Sequence, residues 1–536
     1  MSVRIHVSGR AKKAVEDSLP SLIESFIASR IADKDSTIWG ADAEAEASIR
    51  LGWVSSALDV APLIDEITEL RSHLHESGLT RIVLAGMGGS SLAPEVMANT
   101  AGAELVILDS TSPGQVRSAL GDDLSSTVLV VSSKSGSTVE TDSAKKIFEA
   151  AFNAAGIEPS TRIIVVTDPN SPLDKASRAA GYRVFNADPT VGGRFSAVTA
   201  FGLVPAGLAG VDISSIVSEA IAATLECSID DPANPALVLG AAIAKSVSQD
   251  PKIGLITDGT HVQGFPDWVE QLVAESTGKH GKGILPVVLD VVSTEVGAHL
   301  PDLQIVRFVD DAHEHHLVAH DRHDGEILIS GTLGALFVMW EFATSIAAYL
   351  IGVNPFDQPD VESAKVATRA LLTGKPSSTK ALFVDGGIEV RAHGDFAKNS
   401  TTAREAITSI LETLSDAGYV SIQAYIDRAN LPQTSGVRDL LAARAGRPVT
   451  FGWGPRFLHS TGQFHKGGYP TGVFIQIVQN EAADLAIPDS SFTCGELISA
   501  QAAGDAEVLA SHGRPVLTLT LPAGESHLLA LFEAFN

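Results

Sequence analysis

Apolar residues recur at three- and four-residue spacing through positions 14–30 and 61–77, which is the period of one face of a helix. The first 79 positions are therefore predicted to be helical. The pattern changes at Thr80. Short apolar runs then alternate with amphipathic stretches, predicting strands at 81–86, 103–108, 126–132, 162–167 and 183–185 with helices at 114–120, 139–155 and 173–180. Strands that are apolar throughout, each followed by a helix, describe a parallel sheet covered on both faces. A helical stretch over 211–248 leads into a second alternation, with strands at 252–257, 283–289 and 303–308 and an apolar helix over 332–351. A third begins near Gly374, after a linker reading of Lys375-Pro-Ser-Ser-Thr379, with strands at 381–384, 419–424, 448–452, 472–478 and 515–521. The predicted division is a helical segment over 1–79, α/β units over 80–245 and 246–373, and an α/β segment over 374–536 that completes the second unit. No fixed-period repeat is present.

Composition narrows the function. The 536 residues carry 38 basic and 64 acidic side chains, a net charge of −26. A body this acidic repels nucleic acid and anionic membranes, which argues against both as partners. It leaves room for a phosphate-bearing small molecule, because a local nest of backbone N–H groups can outweigh a distant field. Cys227 and Cys494 are the only cysteines, which excludes a disulfide framework and a cysteine zinc cluster. The segment 331–353 is interrupted by Glu341, Thr344 and Ser345 and reads as a buried core helix. The first twenty residues are too polar for a signal-peptide core. The expectation is a soluble, reduced, cytoplasmic protein.

Two loops could carry chemistry. Gly86-Met-Gly-Gly-Ser-Ser-Leu-Ala-Pro94 lies where a predicted strand ends and a helix begins. Glycines there let the backbone approach a ligand, and the helix N-terminus offers free N–H donors. The same residues would serve a tight turn, and the segment lacks the last glycine of a dinucleotide fingerprint. Ser132-Ser-Lys-Ser-Gly-Ser-Thr-Val-Glu-Thr141 occupies the equivalent place after the predicted strand at 126–132. A capping serine accounts for one hydroxyl; six hydroxyls with a lysine and a glycine are what a phosphate monoester needs.

These loops together resemble those of sugar isomerase (SIS) domains. Further segments match in order. Asp188-Pro-Thr-Val-Gly-Gly-Arg-Phe-Ser196 resembles the glycine-glycine-arginine signature of glucose-6-phosphate isomerases. Glu275-Ser-Thr-Gly-Lys279 resembles their glutamate-serine-x-glycine-lysine segment, and Asn354-Pro-Phe-Asp-Gln-Pro-Asp-Val-Glu-Ser-Ala-Lys365 their lysine-bearing signature. The chain is most similar to the isomerase half of bacterial transaldolase/glucose-6-phosphate isomerase fusions, with no transaldolase barrel expected. The resemblance implies two SIS domains, each a parallel-sheet α/β/α sandwich, between a helical N-terminal segment and a C-terminal α/β extension packed on the second. It implies reversible conversion of glucose 6-phosphate to fructose 6-phosphate through a cis-enediolate, in glycolysis and gluconeogenesis, with no cofactor and no metal. Members are commonly homodimers with a shared site.

Carried over residue by residue, the resemblance places Gly89 and Ser90 against the substrate. It puts Ser133, Lys134, Ser135 and Thr138 at the 6-phosphate, Arg194 over the enediolate oxygen and Glu275 as the base. Gln358 would line the site, Lys365 would work with a histidine in ring opening, and Glu140 matches a further active-site position. The residue types suit the reaction, which needs a base at the carbons, a cation at the oxyanion and an acid/base pair for the ring oxygen.

The histidine departs from the family order. His280, His299, His313, His315, His316, His320 and His323 lie between Glu275 and Lys365, and none stands in a family motif. The stretch from His313 to His323 reads as a surface loop. Phe457-Leu-His-Ser-Thr-Gly-Gln-Phe-His-Lys-Gly-Gly468 does resemble the family's histidine segment, but follows Lys365. His459 is the expected ring-opening residue, with His465 second, and a rearranged second sheet is the expected cause. For His459 to reach Glu275, residues 374–536 must pack against or join that sheet. Two other functions fit the same loops: a dual phosphoglucose/phosphomannose isomerase, and a phosphosugar-binding regulator without catalysis. Lys134, Arg194, Lys279 and Lys365 all fall in pocket segments, so the expected pocket is a positive exception on an acidic surface.

Overall fold

The computed structural model describes residues 2–319, 325–374, 379–480 and 483–536. Its framework is three sheets. The first has five parallel strands in the spatial order Val106–Leu108, Arg81–Gly86, Thr127–Ser132, Ile163–Thr167, Arg183–Asn186. Residues of both parities along Arg81–Gly86 and Thr127–Ser132 are buried, because helices cover both faces. The strand order reverses beside Arg81–Gly86. In such sheets the crevice at the carboxyl ends of the strands flanking that reversal is where ligands bind. The glycine loop and the serine loop leave those two strands.

The second sheet repeats the arrangement. Ile327–Gly331, Leu303–Val309, Lys252–Asp258 and Leu285–Leu289 run parallel in that order. Val3–Val7 closes the edge antiparallel to Ile327–Gly331. The N-terminal segment is thus helical only after this strand. Its five residues are too few for periodicity to reveal, and their partner lies more than 300 positions away. One face of each sheet belongs to a single core that also holds the helices Pro235–Lys245 and Leu333–Ile351. Leu333–Ile351 is the one helix among the described residues long and apolar enough to cross a membrane, and it is buried in protein.

Residues after 379 build a sheet of their own. Val516–Leu521, Gly472–Gln479, Tyr419–Tyr425 and Val449–Trp453 are parallel, and the hairpin Phe383–Asp385/Ile388–His393 adds antiparallel at one edge. This sheet has its own core and packs on the second unit through a shared cluster of Leu285, Val287, Leu289, Phe464, Phe474 and Leu509. The second sheet's own strand order does not contain it. Positions 375–378 of the expected linker, and His320 and His323, lie outside the described residues. His313, His315 and His316 lie on the helix Ala312–Ala319 rather than in a loop.

Candidate active site

The serine loop runs from the strand Thr127–Ser132 to the helix Val139–Ala154. Ser133 is buried beneath it, accepting from the Gly136 amide at 3.2 Å and donating to Thr138 Oγ1 at 3.2 Å. Ser135 and Ser137 are exposed, with hydroxyls 2.8 Å apart. Ser135, Ser137, Thr138 and Glu140 open onto a cavity of about 330 Å³, and Lys365, Thr368, Arg369, His459, Lys466 and Gln501 complete its polar lining. A short loop at a helix N-terminus presents hydroxyls and backbone donors to an anion.

His459 ends the 3-10 turn Arg456–His459, which leaves the carboxyl end of the strand Val449–Trp453. Its Nε2 lies 3.1 Å from Glu140 Oε1, and Gln501 Nε2 donates to the same oxygen at 2.6 Å. Burial works to raise Glu140, but the charge and hydrogen bond of His459, with Gln501, hold it below the usual glutamate range. His465 instead lies buried among Tyr419, Phe457 and Phe474, away from the cavity lining. Burial, Lys466 and Arg514 keep its imidazole neutral.

A second group lies deeper. Arg194 stands in the turn Gly193–Phe195 and is 3% exposed. Nε donates to Ser276 Oγ at 2.9 Å, Nη1 to Glu275 Oε2 at 3.3 Å and Gln358 Oε1 at 2.7 Å, and Nη2 to the carbonyls of Pro355 and Asp357. All five guanidinium donors are therefore engaged. Glu275 lies in the last turn of the helix Phe265–Thr277; burial raises it, with Arg194 and His459 pulling the other way. Lys279 is also buried, donating to Asn354 O at 2.6 Å and Asp357 Oδ1 at 2.7 Å, so it pins the loop that carries Gln358. Burial beside Arg194 pulls Lys279 down to about 8.

Two glycines let these parts meet. A Cβ on Gly89 would lie 2.0 Å from Gly193 O, so the glycine loop seats the arginine turn. Gly88 has φ +55°, and a Cβ there would lie 2.6 Å from His459 O, the same carbonyl that accepts from Gln271 Nε2 at 2.7 Å.

Ser135, Thr138, Glu140, Lys365 and His459 share one cavity, and Arg194, Glu275 and Gln358 form one bonded group. Lys134 turns away from its loop: Nζ pairs with Asp168 at 2.8 Å and lines a separate cleft of about 370 Å³ with Arg194 and Gln358. A carboxylate partly out of water captured it. Gly89 faces Gly193 and Ser90 is half-buried in the turn Gly88–Ser90. Sequence reasoning passed over Ser137, although it lies in the quoted loop. Lys466 was likewise passed over inside the quoted histidine segment, while Gln501 and Arg369 carried no local signal. Among the described residues no group of three His, Cys, Asp or Glu side chains is placed to hold a metal ion.

No protein-family model matches the chain. Among solved structures, a hypothetical protein from Thermus thermophilus has the same fold, with a TM-score of 0.57 at 23% identity, over 69% of this chain and 100% of that one. The two parallel-sheet units, with the glycine and serine loops at the switch point of the first, define a two-domain sugar isomerase fold with a C-terminal α/β extension. A glucose-6-phosphate isomerase of Heliobacterium modesticaldum is 31% identical over 315 residues, 48% of this chain and 68% of the relative. A probable glucose-6-phosphate isomerase of Methanococcus maripaludis is 27% identical over 377 residues, 60% of this chain and 85% of the relative. The chain belongs to the glucose-6-phosphate isomerase family.

Proposed function

We propose that this protein interconverts glucose 6-phosphate and fructose 6-phosphate as a cytoplasmic enzyme of glycolysis and gluconeogenesis. The observation that carries the reading is the convergence of His459 on Glu140, at 3.1 Å, in a cavity walled by the serine loop. The phosphate sits on Ser135, Thr138 and the adjoining helix N-terminus. His459 and Lys365 form the acid/base pair of ring opening: one proton leaves the anomeric hydroxyl, another reaches the ring oxygen, and the C1–O5 bond breaks. Glu275 then takes the C2 proton, and the electron pair moves into a cis-enediolate. Arg194 stabilises its oxygen, exchanging the Gln358 contact for the substrate, since none of its donors is otherwise spare. A proton passes from O2 to O1, and Glu275 returns its proton to C1 as the C2 carbonyl forms. Burial suits Glu275 to this work by raising its basicity. The likeness to fusion-type isomerases rests on His459 following Lys365 in the chain.

The test is to incubate the protein with glucose 6-phosphate, without metal or nicotinamide, and measure fructose 6-phosphate. Glu275→Gln keeps the shape and removes the base, at an expected cost of about 10²–10⁴ in rate. Unchanged turnover in that variant removes Glu275 from the mechanism.

A further inference from the structure

The turn that carries His459 begins with Arg456, whose side chain leaves the C-terminal sheet and enters the first. Arg456 Nη1 lies 2.8 Å from Asp109 Oδ2, and Nη2 lies 2.5 Å from Glu95 Oε2. Arg428, from the neighbouring loop after the strand Tyr419–Tyr425, completes a square: its Nη2 is 3.3 Å from Asp109 Oδ1 and 3.4 Å from Glu95 Oε1. Glu95 sits in the first turn of the helix that follows the glycine loop, and Asp109 follows the strand Val106–Leu108. Asp109 is 1% exposed and also accepts from Gln115 Nε2 at 3.3 Å. Asp267, in the first turn of the helix Phe265–Thr277 that carries Glu275, adds its charge to the field at Arg456. The cluster thus joins elements of all three sheets.

A four-residue 3-10 turn has too few internal hydrogen bonds to set its own orientation. Side chains must anchor it. Phe457 packs its middle against Tyr425. At its end, His459 meets Gln271 through its carbonyl and Glu140 through its ring. The remaining anchor is the guanidinium of Arg456, whose planar fork can hold two carboxylates at once where a lysine can serve only as a point charge.

We propose that Arg456 is a positioning residue for His459, clamping the histidine turn to Glu95 and Asp109 so that the imidazole meets Glu140 and the sugar ring. This rests on the ring-opening role proposed for His459. Arg456→Met is expected to lower kcat about 10–10²-fold, since displacements near 1 Å carry costs of that order, with KM nearly unchanged. The deciding measurement is a double-mutant cycle with His459→Ala. If Arg456 acts through His459, adding Arg456→Met to that variant lowers turnover less than about twofold further. A full, undiminished loss in the His459→Ala background overturns the proposal, because a merely structural role would persist there. Melting curves accompany each variant. If Arg456→Met unfolds at the assay temperature, the cycle is run with Arg456→Lys and judged by the same outcomes. Wild-type protein inert towards glucose 6-phosphate would instead overturn the functional reading itself.

Discussion

Glu275 and Glu140 are both buried glutamates at one site, and their surroundings push them in opposite directions. Burial dominates at Glu275 and lifts it, despite Arg194 at 3.3 Å. At Glu140 burial is outweighed by His459 and Gln501, which share one carboxylate oxygen. Glu275 belongs to a group in which every guanidinium donor already has a partner, while Glu140 lines the cavity walled by the serine loop. In the proposed mechanism these opposite shifts suit Glu275 to take and return a proton and Glu140 to remain an anion that orients an imidazole.

That contrast can be broken from the Arg194 side. Arg194→Met should cost about 10²–10³ in kcat, the scale of losing an oxyanion donor. It should also move a pH limb. Glu275 must be ionised to act as base, so activity falls as pH drops through its raised value. Without the arginine that value rises further, and the acid limb of kcat/KM should shift to higher pH. A pH–rate profile checks the sign; an unmoved limb would mean that Arg194 does not support the charge of Glu275.

From the cavity side, His459→Ala should slow turnover of the cyclic sugar phosphate about 10²-fold. Full turnover would remove His459 from ring opening. The seam between the two groups is probed by Gly89→Ala, which sets a methyl against Gly193 O and should cost about 1–3 kcal/mol, read as a lowered Tm with reduced kcat. The smallest change is Gln501→Leu. It removes one of the two described donors on Glu140 Oε1 and should cost about 0.5–1.5 kcal/mol, seen as a few-fold loss of turnover that His459→Ala should mask.

Much of the fold was legible because it is written locally. Both loops of the first sheet sit where an apolar run gives way to a helix, and the predicted strands there fall within a few residues of the observed ones. Val3–Val7, Ile327–Gly331 and Ile388–His393 were missed: each is a short run whose identity depends on partner strands, an antiparallel one in every case. The serine loop was legible as a hydroxyl-rich turn from strand to helix, but not the direction of Lys134, because Asp168 lies 34 positions away and competes for it.

The sequence by itself determined the alternating framework, the two glycine- and serine-bearing turns, and the residue types that isomerisation requires, since all of these are short-range patterns of size and polarity. Only the tertiary structure decided which residues share a cavity. It sent His465 into an aromatic core and His459 to Glu140, 319 positions distant. It did so by bringing the carboxyl ends of a separate C-terminal sheet against the first sheet, with Arg428 and Arg456 shared between Glu95 and Asp109. The physical reason is that long-range hydrogen bonds and ion pairs depend on where whole sheets dock, and docking follows from the fit of buried faces rather than from any one segment of chain.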